Sequence, residues 1–486
     1  MMPAIDLRPA VPALIVAVTG LVVLLAQAFT PRGRSSPSAA LSLTGLLGAL
    51  AAVGLIAGGS GRGAVMGGSL AADDYALFFH VLILAIGALV VLLSPGYLRA
   101  TGADRGEYYA LILFSMVGML GLVSALELVS LFVALEIMSV AVYALAGLHR
   151  GRIESQESAL KYFVTGAFSS AFFLYGVALL YGATGSTSLV RIAAALARSP
   201  DAGGILAILG AGFLLVGFGF KVASIPFHMW VPDVYEGAPT TVTAFMSAGV
   251  KAAAFGGFLR VFLEGLRQLA AEWQPAVAAL AVVTMVGGNL GALSQTNIKR
   301  MLAYSSVAHA GYLLTALVAV PRIAAEAVLF YLVAYAAVNL GGFGVIAALT
   351  RGSREPLALA DLAGLADRRP VLAAALAVFL VSLTGVPVSA GFVGKFYLFS
   401  AAVSAGDLGT FLAVVGVLTS VVSAYYYLRI VVAMYMEAPA GEDTWAAVEP
   451  GPRLALAVSA LVVLGLGLYP GPVLAFARVA ALSLQN

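Results

Sequence analysis

The chain has 486 residues, of which 62% are apolar and 10% charged, with a formal net charge of +3 and no cysteine. Soluble domains average about 45–50% apolar and about 25% charged residues, so this balance excludes a soluble globular enzyme, a secreted disulfide scaffold and a disordered chain. Without cysteine the chain has no thiolate iron–sulfur ligation and no Cys-based zinc site, and its small charge, spread over many loops, argues against a nucleic-acid partner.

What remains is an all-α integral membrane protein, in which bilayer thickness sets an element length of about 20 apolar residues. Apolar runs predict about fourteen membrane helices: 10–29, 39–58, 74–94, 107–125, 127–148, 159–183, 204–231, 239–263, 274–294, 300–319, 324–349, 370–404, 409–436 and 453–475. The stretch 107–148 is too long for one span and is divided near Ala125. Segments 204–231 and 370–404 are overlong and contain Pro226 and Pro387, so both read as broken helices. The longest polar connections lie near 184–203 and 350–369, and the glycine-rich stretch Gly58 to Gly63 reads as a loop, since no strand precedes it.

The first run is not read as a cleaved signal, because Arg8 beside Asp6 precedes it while Arg32 and Arg34 follow it. That order places the N-terminus outside. With this orientation the inner loops hold roughly 13 Lys/Arg and the outer loops roughly 8, and an even number of spans puts the C-terminus outside as well.

Of the 26 basic residues only Lys161, Lys221, Lys251, Lys299 and Lys395 are lysine, and four of these lie within spans while most arginines lie in loops. Arginine stays protonated in any site, whereas a desolvated lysine can lose its proton near neutral pH, which is what a proton carrier needs. The plain alternative is that these lysines snorkel to the interface, most readily for Lys161 near a helix start. Glu136 sits mid-span and needs a partner, for which a lysine on a neighbouring helix is the expected choice. A static ion pair is the alternative to a moving one. Glu127 reads as interfacial.

Pro226 follows Lys221 by five residues and Pro387 precedes Lys395 by eight. Two broken helices in matching places suggest an inverted repeat, with halves at about 107–263 and 274–436, flanked by 1–106 and 453–486. His228, after the first break, and His309, mid-span, could relay protons or simply pack. His80 and His149 look peripheral, and no two histidines have haem or zinc spacing on one helix.

Several motifs occur together: Ala134-Leu135-Glu136-Ile137-Met138-Ser139; Leu160 to Phe163 around Lys161; Gly219-Phe220-Lys221 continuing through Pro226-Phe227-His228-Met229-Trp230-Val231-Pro232-Asp233 to Pro239; Asn297-Ile298-Lys299-Arg300 through Tyr304-Ser305-Ser306 to His309; and Ala390 to Phe396 around Lys395. In this combination the chain resembles the antiporter-like membrane subunits of respiratory complex I over about residues 70–435, and most of all their N-type branch in bacterial NADH–quinone oxidoreductase. The resemblance implies fourteen helices, two inverted five-helix repeats and broken helices seven and twelve. It implies that Glu136, Lys221, Lys251 and Lys395 form the proton relay, with Lys161, His228, Lys299 and His309 at further polar positions of a hydrated axis. It implies no cofactor on this chain, with FMN, iron–sulfur clusters and quinone on partner subunits. The partners would be the M-type and K-type subunits and their neighbours, in a bacterial inner membrane. Lysine at 395 argues against the M-type branch, which carries glutamate there, and the L-type branch is longer and ends in a lateral helix. Val393 departs from the tryptophan of many relatives. A cation/proton antiporter subunit of the multi-subunit sodium–proton type is the rival reading, and a structural membrane scaffold is another.

Overall fold

Lipid offers no water to the backbone N–H and C=O groups, so apolar stretches of this length close their hydrogen bonds within helices. The computed structural model describes residues 7–30, 37–59, 63–198, 204–350, 352, 355–439 and 447–484, and these are almost wholly helical. In chain order the helices are α1 (Val11–Ala28), α2 (Ser38–Gly58), α3 (Asp74–Ala100), α4 (Gly106–Ser124), α5 (Leu128–Ala146), α6 (Ile153–Thr184), α7 (Leu189–Arg198), α8 (Gly204–Val222), α9 (Val231–Gly237) and α10 (Thr240–Gly265). They continue with α11 (Arg267–Leu293), α12 (Ile298–Val318), α13 (Pro321–Ala348), α14 (Pro370–Thr384), α15 (Ala390–Val403), α16 (Asp407–Met436), α17 (Pro450–Leu468) and α18 (Gly471–Leu482). A small antiparallel hairpin, Gly63–Val65 with Leu70–Ala72, lies between α2 and α3.

Thirteen of these helices are long and apolar enough to cross a membrane, and α14 with α15 makes up the broken span expected at 370–404. The division near Ala125 falls between α4 and α5. Two expectations need correction. The connection 184–203 contains α7, whose Leu189, Ile192 and Leu196 are buried at helical spacing, a stripe too short to stand out among polar neighbours. The last span does not run through to 475: α17 stops at Leu468 and α18 starts at Gly471, because Pro470 and Pro472 cannot continue a helix. Of the expected loop from Gly58 to Gly63, residues 60–62 lie outside the described residues, and Gly63 opens the hairpin.

Burial ranks the helices from centre to rim. α10 is buried along its whole membrane length and α12 over 94% of it, whereas α1 is buried over only 22%. The rim presents Leu55, Leu461 and Val371 outward, as a lipid-facing surface should. Close helix pairs are built on small residues. A Cβ at Gly118 on α4 would stand 2.3 Å from the Met138 amide nitrogen and 2.6 Å from the Ala134 carbonyl oxygen of α5. Backbone atoms cannot rotate away, so Gly118→Ala is expected to cost about 1–3 kcal/mol by overpacking. A lower melting temperature in detergent would register it; unchanged melting would show that α4 and α5 separate freely.

Both breaks carry strain. Ala223, just past α8, has φ +68° and Val388, just before α15, has φ +71°; among the described residues no other non-glycine has positive φ. Left-handed backbone costs about 1–3 kcal/mol per residue and persists where surrounding structure imposes it, commonly at functional sites. The freed backbone groups are recovered by side chains: Trp230 Nε1 donates to the Phe220 carbonyl at 3.1 Å, and Thr284 Oγ1 accepts from Ile225 N at 2.9 Å. Ser389 caps α15 through the Phe392 amide.

Candidate functional site

Lys221 ends α8 at the first break and is 3% exposed. Its ammonium donates to the Tyr143 hydroxyl at 3.1 Å and lies 5.1–5.5 Å from the ring centres of Tyr143, Tyr162 and Phe220. Aromatic faces thus take the place of a carboxylate. The expected Glu136–lysine pair is not formed. The Glu136 carboxylate accepts from Ser170 Oγ at 2.5 Å, borders an outer groove lined by Leu111, Phe114, Ile137 and Val140, and makes no ion pair among the described residues. The reason is geometric. Glu136 and Tyr143 share a face of α5 but stand seven residues apart, about 10 Å along the axis, and it is Tyr143 that reaches Lys221.

Lys251 follows a π-helical turn, Met246–Val250, of the kind that re-aims side chains at functional sites. It is 2% exposed, and its Nζ donates to the Ser306 carbonyl at 2.5 Å and to Ser306 Oγ at 2.6 Å. Lys395 sits at the second break and donates to the Leu383 carbonyl at 2.8 Å, the Thr384 carbonyl at 3.1 Å and Ser420 Oγ at 3.1 Å. Those carbonyls end α14, where a helix has unpaired acceptors and the negative end of its dipole. The break therefore makes the socket that holds the ammonium.

Two hydrogen-bonded groups of polar side chains adjoin these two lysines, with ring packing between the groups. His309 Nδ1 bonds the Tyr331 hydroxyl, and His309 Nε2 stands 3.2 Å from the Tyr427 hydroxyl, which also bonds Ser305, the neighbour of Ser306. The ring of Tyr427 packs 4.5 Å from that of Tyr426. Tyr426 donates to Asn289 Oδ1 at 3.0 Å, Asn289 donates to the Tyr312 hydroxyl at 3.1 Å, and the Tyr312 ring lies 4.9 Å from the Lys395 ammonium. A hydroxyl both accepts and donates, so the Ser305–Tyr427–His309 group can pass a proton along its own hydrogen bonds, while Tyr427 meets Tyr426 and Tyr312 meets Lys395 through ring contacts.

A second cluster lies at the loop end of the bundle. Lys299 is fully buried and donates to the Ala238 carbonyl at 2.8 Å and to Glu355 Oε2 at 3.2 Å. Glu355 also accepts from Tyr97 at 2.5 Å and Thr240 at 3.0 Å, with Arg152 at 3.8 Å. Burial pushes the Glu355 carboxyl up, but the Lys299 ammonium, the Tyr97 hydroxyl and Arg152 outweigh it and hold it below the ordinary glutamate range. Lys161 is half-exposed and pairs with Asp233 at 2.5 Å and Glu157 at 2.6 Å; Asp233 also pairs with Arg300. His228 is half-buried in the first break, 6.5 Å from the Tyr304 ring, and bonds none of the lysines. His80 and His149 are not peripheral. His80 is buried and bonds Ser124 Oγ at 2.9 Å, and His149 is buried against Tyr97. Position in the sequence misleads here, because α4 packs against the His80 ring and Tyr97 of α3 against the His149 ring. Glu127 caps α5 through the Ser130 amide at 2.9 Å. At the opposite end, buried Arg260 grips Asp73 through two bonds of 2.9 Å. No cluster that could hold a metal ion occurs among the described residues.

Residues 125–423 match the family described as NADH:quinone oxidoreductase/Mrp antiporter, transmembrane. The chain belongs to this family. A relative from Trichlorobacter lovleyi, NADH-quinone oxidoreductase subunit N, is 44% identical over 476 residues, which cover 98% of this chain and 97% of that one. A chain of respiratory complex I from Thermus thermophilus with bound aureothin superposes with a TM-score of 0.81 at 38% identity, covering 96% of this chain and 98% of the other. A chain of the Mrp complex from Dietzia sp. DQ12-45-1b superposes at 0.82 with 24% identity, covering 99% and 98%, and so shares the fold.

For this antiporter-family chain, four residues from the sequence reading lie in buried polar or aromatic surroundings. Lys251 bonds Ser306 beside the Ser305–Tyr427–His309 group, Lys395 lies over the Tyr312 ring of the Tyr426–Asn289–Tyr312 group, and Lys221 has its own aromatic cage. Lys299 is drawn into the Glu355 ion pair, and Lys161 and His228 stand apart. Sequence reading missed Tyr143, Tyr312, Tyr331, Tyr426, Tyr427, Asn289 and Glu355. One signal was available: Tyr312 follows His309 by three residues and so shares its helix face. Glu355 had none, lying in a polar connection whose path only tertiary packing sets.

Proposed function

We propose that the chain carries protons across the membrane through its buried lysines, driven by electron transfer from NADH to quinone on partner subunits. It is an integral multi-pass membrane protein and a membrane subunit of the NADH–quinone oxidoreductase family, whose other subunits are its partners. The observation that carries the reading is the pair Lys251 and Lys395, two buried lysines that no carboxylate pairs with among the described residues, with the polar side chains of His309, Tyr427, Tyr426, Asn289 and Tyr312 adjoining them.

In this reading Glu136, Lys221, Lys251 and Lys395 are the relay, and His309 bridges the last two. Lys161, His228 and Lys299 are secondary positions, with Lys299 tied to Glu355. A desolvated lysine can be emptied and refilled near neutral pH. One pKa unit is about 1.36 kcal/mol, and moving a charge against 100 mV costs about 2.3 kcal/mol, so swings of a few units drive the transfer. FMN, iron–sulfur clusters and quinone belong to partner subunits, among them the M-type and K-type chains. The setting is a bacterial inner membrane with both termini outside, an orientation supported by the loop charge bias. The two strained breaks, each beside a lysine, support inverted repeats at 107–263 and 274–436, flanked by 1–106 and 453–486.

The shared family description and fold keep a sodium–proton antiporter subunit as the second reading. Isolation in mild detergent separates the two. Flavin- and iron–sulfur-bearing partners, with NADH-driven acidification in sodium-free medium, are expected. Sodium-dependent exchange without NADH-oxidising partners would replace this reading with the rival.

A further inference from the structure

The turn between α3 and α4 and the turn between α5 and α6 enclose a cavity of about 350 Å³ that none of the lysines lines. Its lining residues include three arginines, Arg105, Arg150 and Arg152, and one acidic residue, Glu107. Arg105 and Arg150 make no ion pair among the described residues, and Arg152 reaches Glu355 only at 3.8 Å. Two helices also begin at this cavity. Arg105 and Arg152 occupy the cap positions of α4 and α6, and neither helix start has a side-chain cap. Gln27 Oε1 accepts the Gly106 amide at 3.0 Å, and the Tyr108 and Ser155 amides turn back to the Arg105 and Arg152 carbonyls; the positive ends of both dipoles still favour an anion.

His149 supplies an independent sign of a missing partner. It lines the cavity, is 7% exposed, and neither ring nitrogen has a hydrogen-bond partner among the described residues. Buried polar atoms are nearly always paired, so an imbalance at both nitrogens of one ring calls for an outside group. Burial holds the imidazole down to about 4, which leaves it neutral at physiological pH with one N–H to donate.

We propose that this cavity binds a phosphate group, with Arg105, Arg150 and Arg152 supplying charge-assisted hydrogen bonds and His149 a further donor. Three forked guanidiniums suit an anion with several oxygens better than a single carboxylate. The cavity lies just beyond the ends of four membrane helices, the level at which phospholipid headgroups sit. The phosphate can therefore come from an anionic lipid or from free phosphate in solution.

The test uses the assembled complex, stripped of lipid in detergent, and equilibrium dialysis against two labelled probes: inorganic phosphate and a short-chain phosphatidylglycerol. The expected result is one probe bound per chain, with affinity weakened roughly tenfold or more in Arg105→Gln/Arg150→Gln. Both arginines are exposed and outside every ion pair described, so that variant keeps the fold. His149→Phe, which retains the stacking on Tyr97, is expected to weaken binding as well. Phosphatidylglycerol that excess phosphate does not displace identifies a lipid headgroup; phosphate that binds equally well identifies a free-anion site. Binding of neither probe, or binding unchanged in both variants, would overturn the proposal.

Discussion

Lys395→Ala in the assembled complex is expected to stop proton movement through this chain. The side chain's donors meet Leu383 O, Thr384 O and Ser420 Oγ, in the socket that the second break creates. Its removal takes away the ionisable group that lies 4.9 Å from the Tyr312 ring. Loss of a positioned proton carrier typically slows transfer about 10²- to 10⁴-fold. The more discriminating variant is Lys395→Arg, which keeps the positive charge and the donors but does not deprotonate. If the ammonium were only a static counter-charge for the broken helix, arginine would serve. If it carries protons, arginine fails as alanine does. The measurement is protons moved per NADH oxidised in sealed vesicles. A wild-type ratio in Lys395→Arg would remove Lys395 from the relay.

Glu355→Gln is expected to destabilise the loop end of the bundle by about 3–5 kcal/mol, the usual effect of leaving a buried charge without its partner. Lys299 is fully enclosed, and Glu355 is the carboxylate that reaches it. The same carboxylate holds Tyr97 of α3 and Thr240 of α10, so one side chain ties three membrane helices together. The pH dependence has a definite sign. The folded carboxyl titrates below the ordinary value of 4.5, so its contribution is complete above that value and is lost as pH falls through the lower folded one. Thermal unfolding in detergent should show the wild type losing this increment in acid and Glu355→Gln lacking it at every pH. Adding Lys299→Met should recover much of the loss, because an apolar side chain leaves no charge stranded. Equal melting of wild type and Glu355→Gln would mean that water already reaches the pair.

Much of the architecture could be read from residue order alone. Lipid admits only self-satisfied helices, so long apolar runs became helices near their expected limits, and Pro226 and Pro387 marked both breaks. The in-span lysines Lys221, Lys251 and Lys395 stood out because an ionisable group inside an apolar run is costly and conspicuous. Their partners did not stand out. A tyrosine or serine in a membrane helix looks like ordinary packing until a neighbouring helix brings its hydroxyl to 3 Å, and that depends on rotation about the helix axis and on contacts between residues more than a hundred positions apart, as for Tyr426 with Asn289. The same holds for Glu136, which sequence logic paired with a lysine and packing gave to Ser170, and for Glu355 and His149, which lie in connections between spans. One-dimensional hydropathy reports depth in the bilayer; which side chains face one another is settled only when the helices pack.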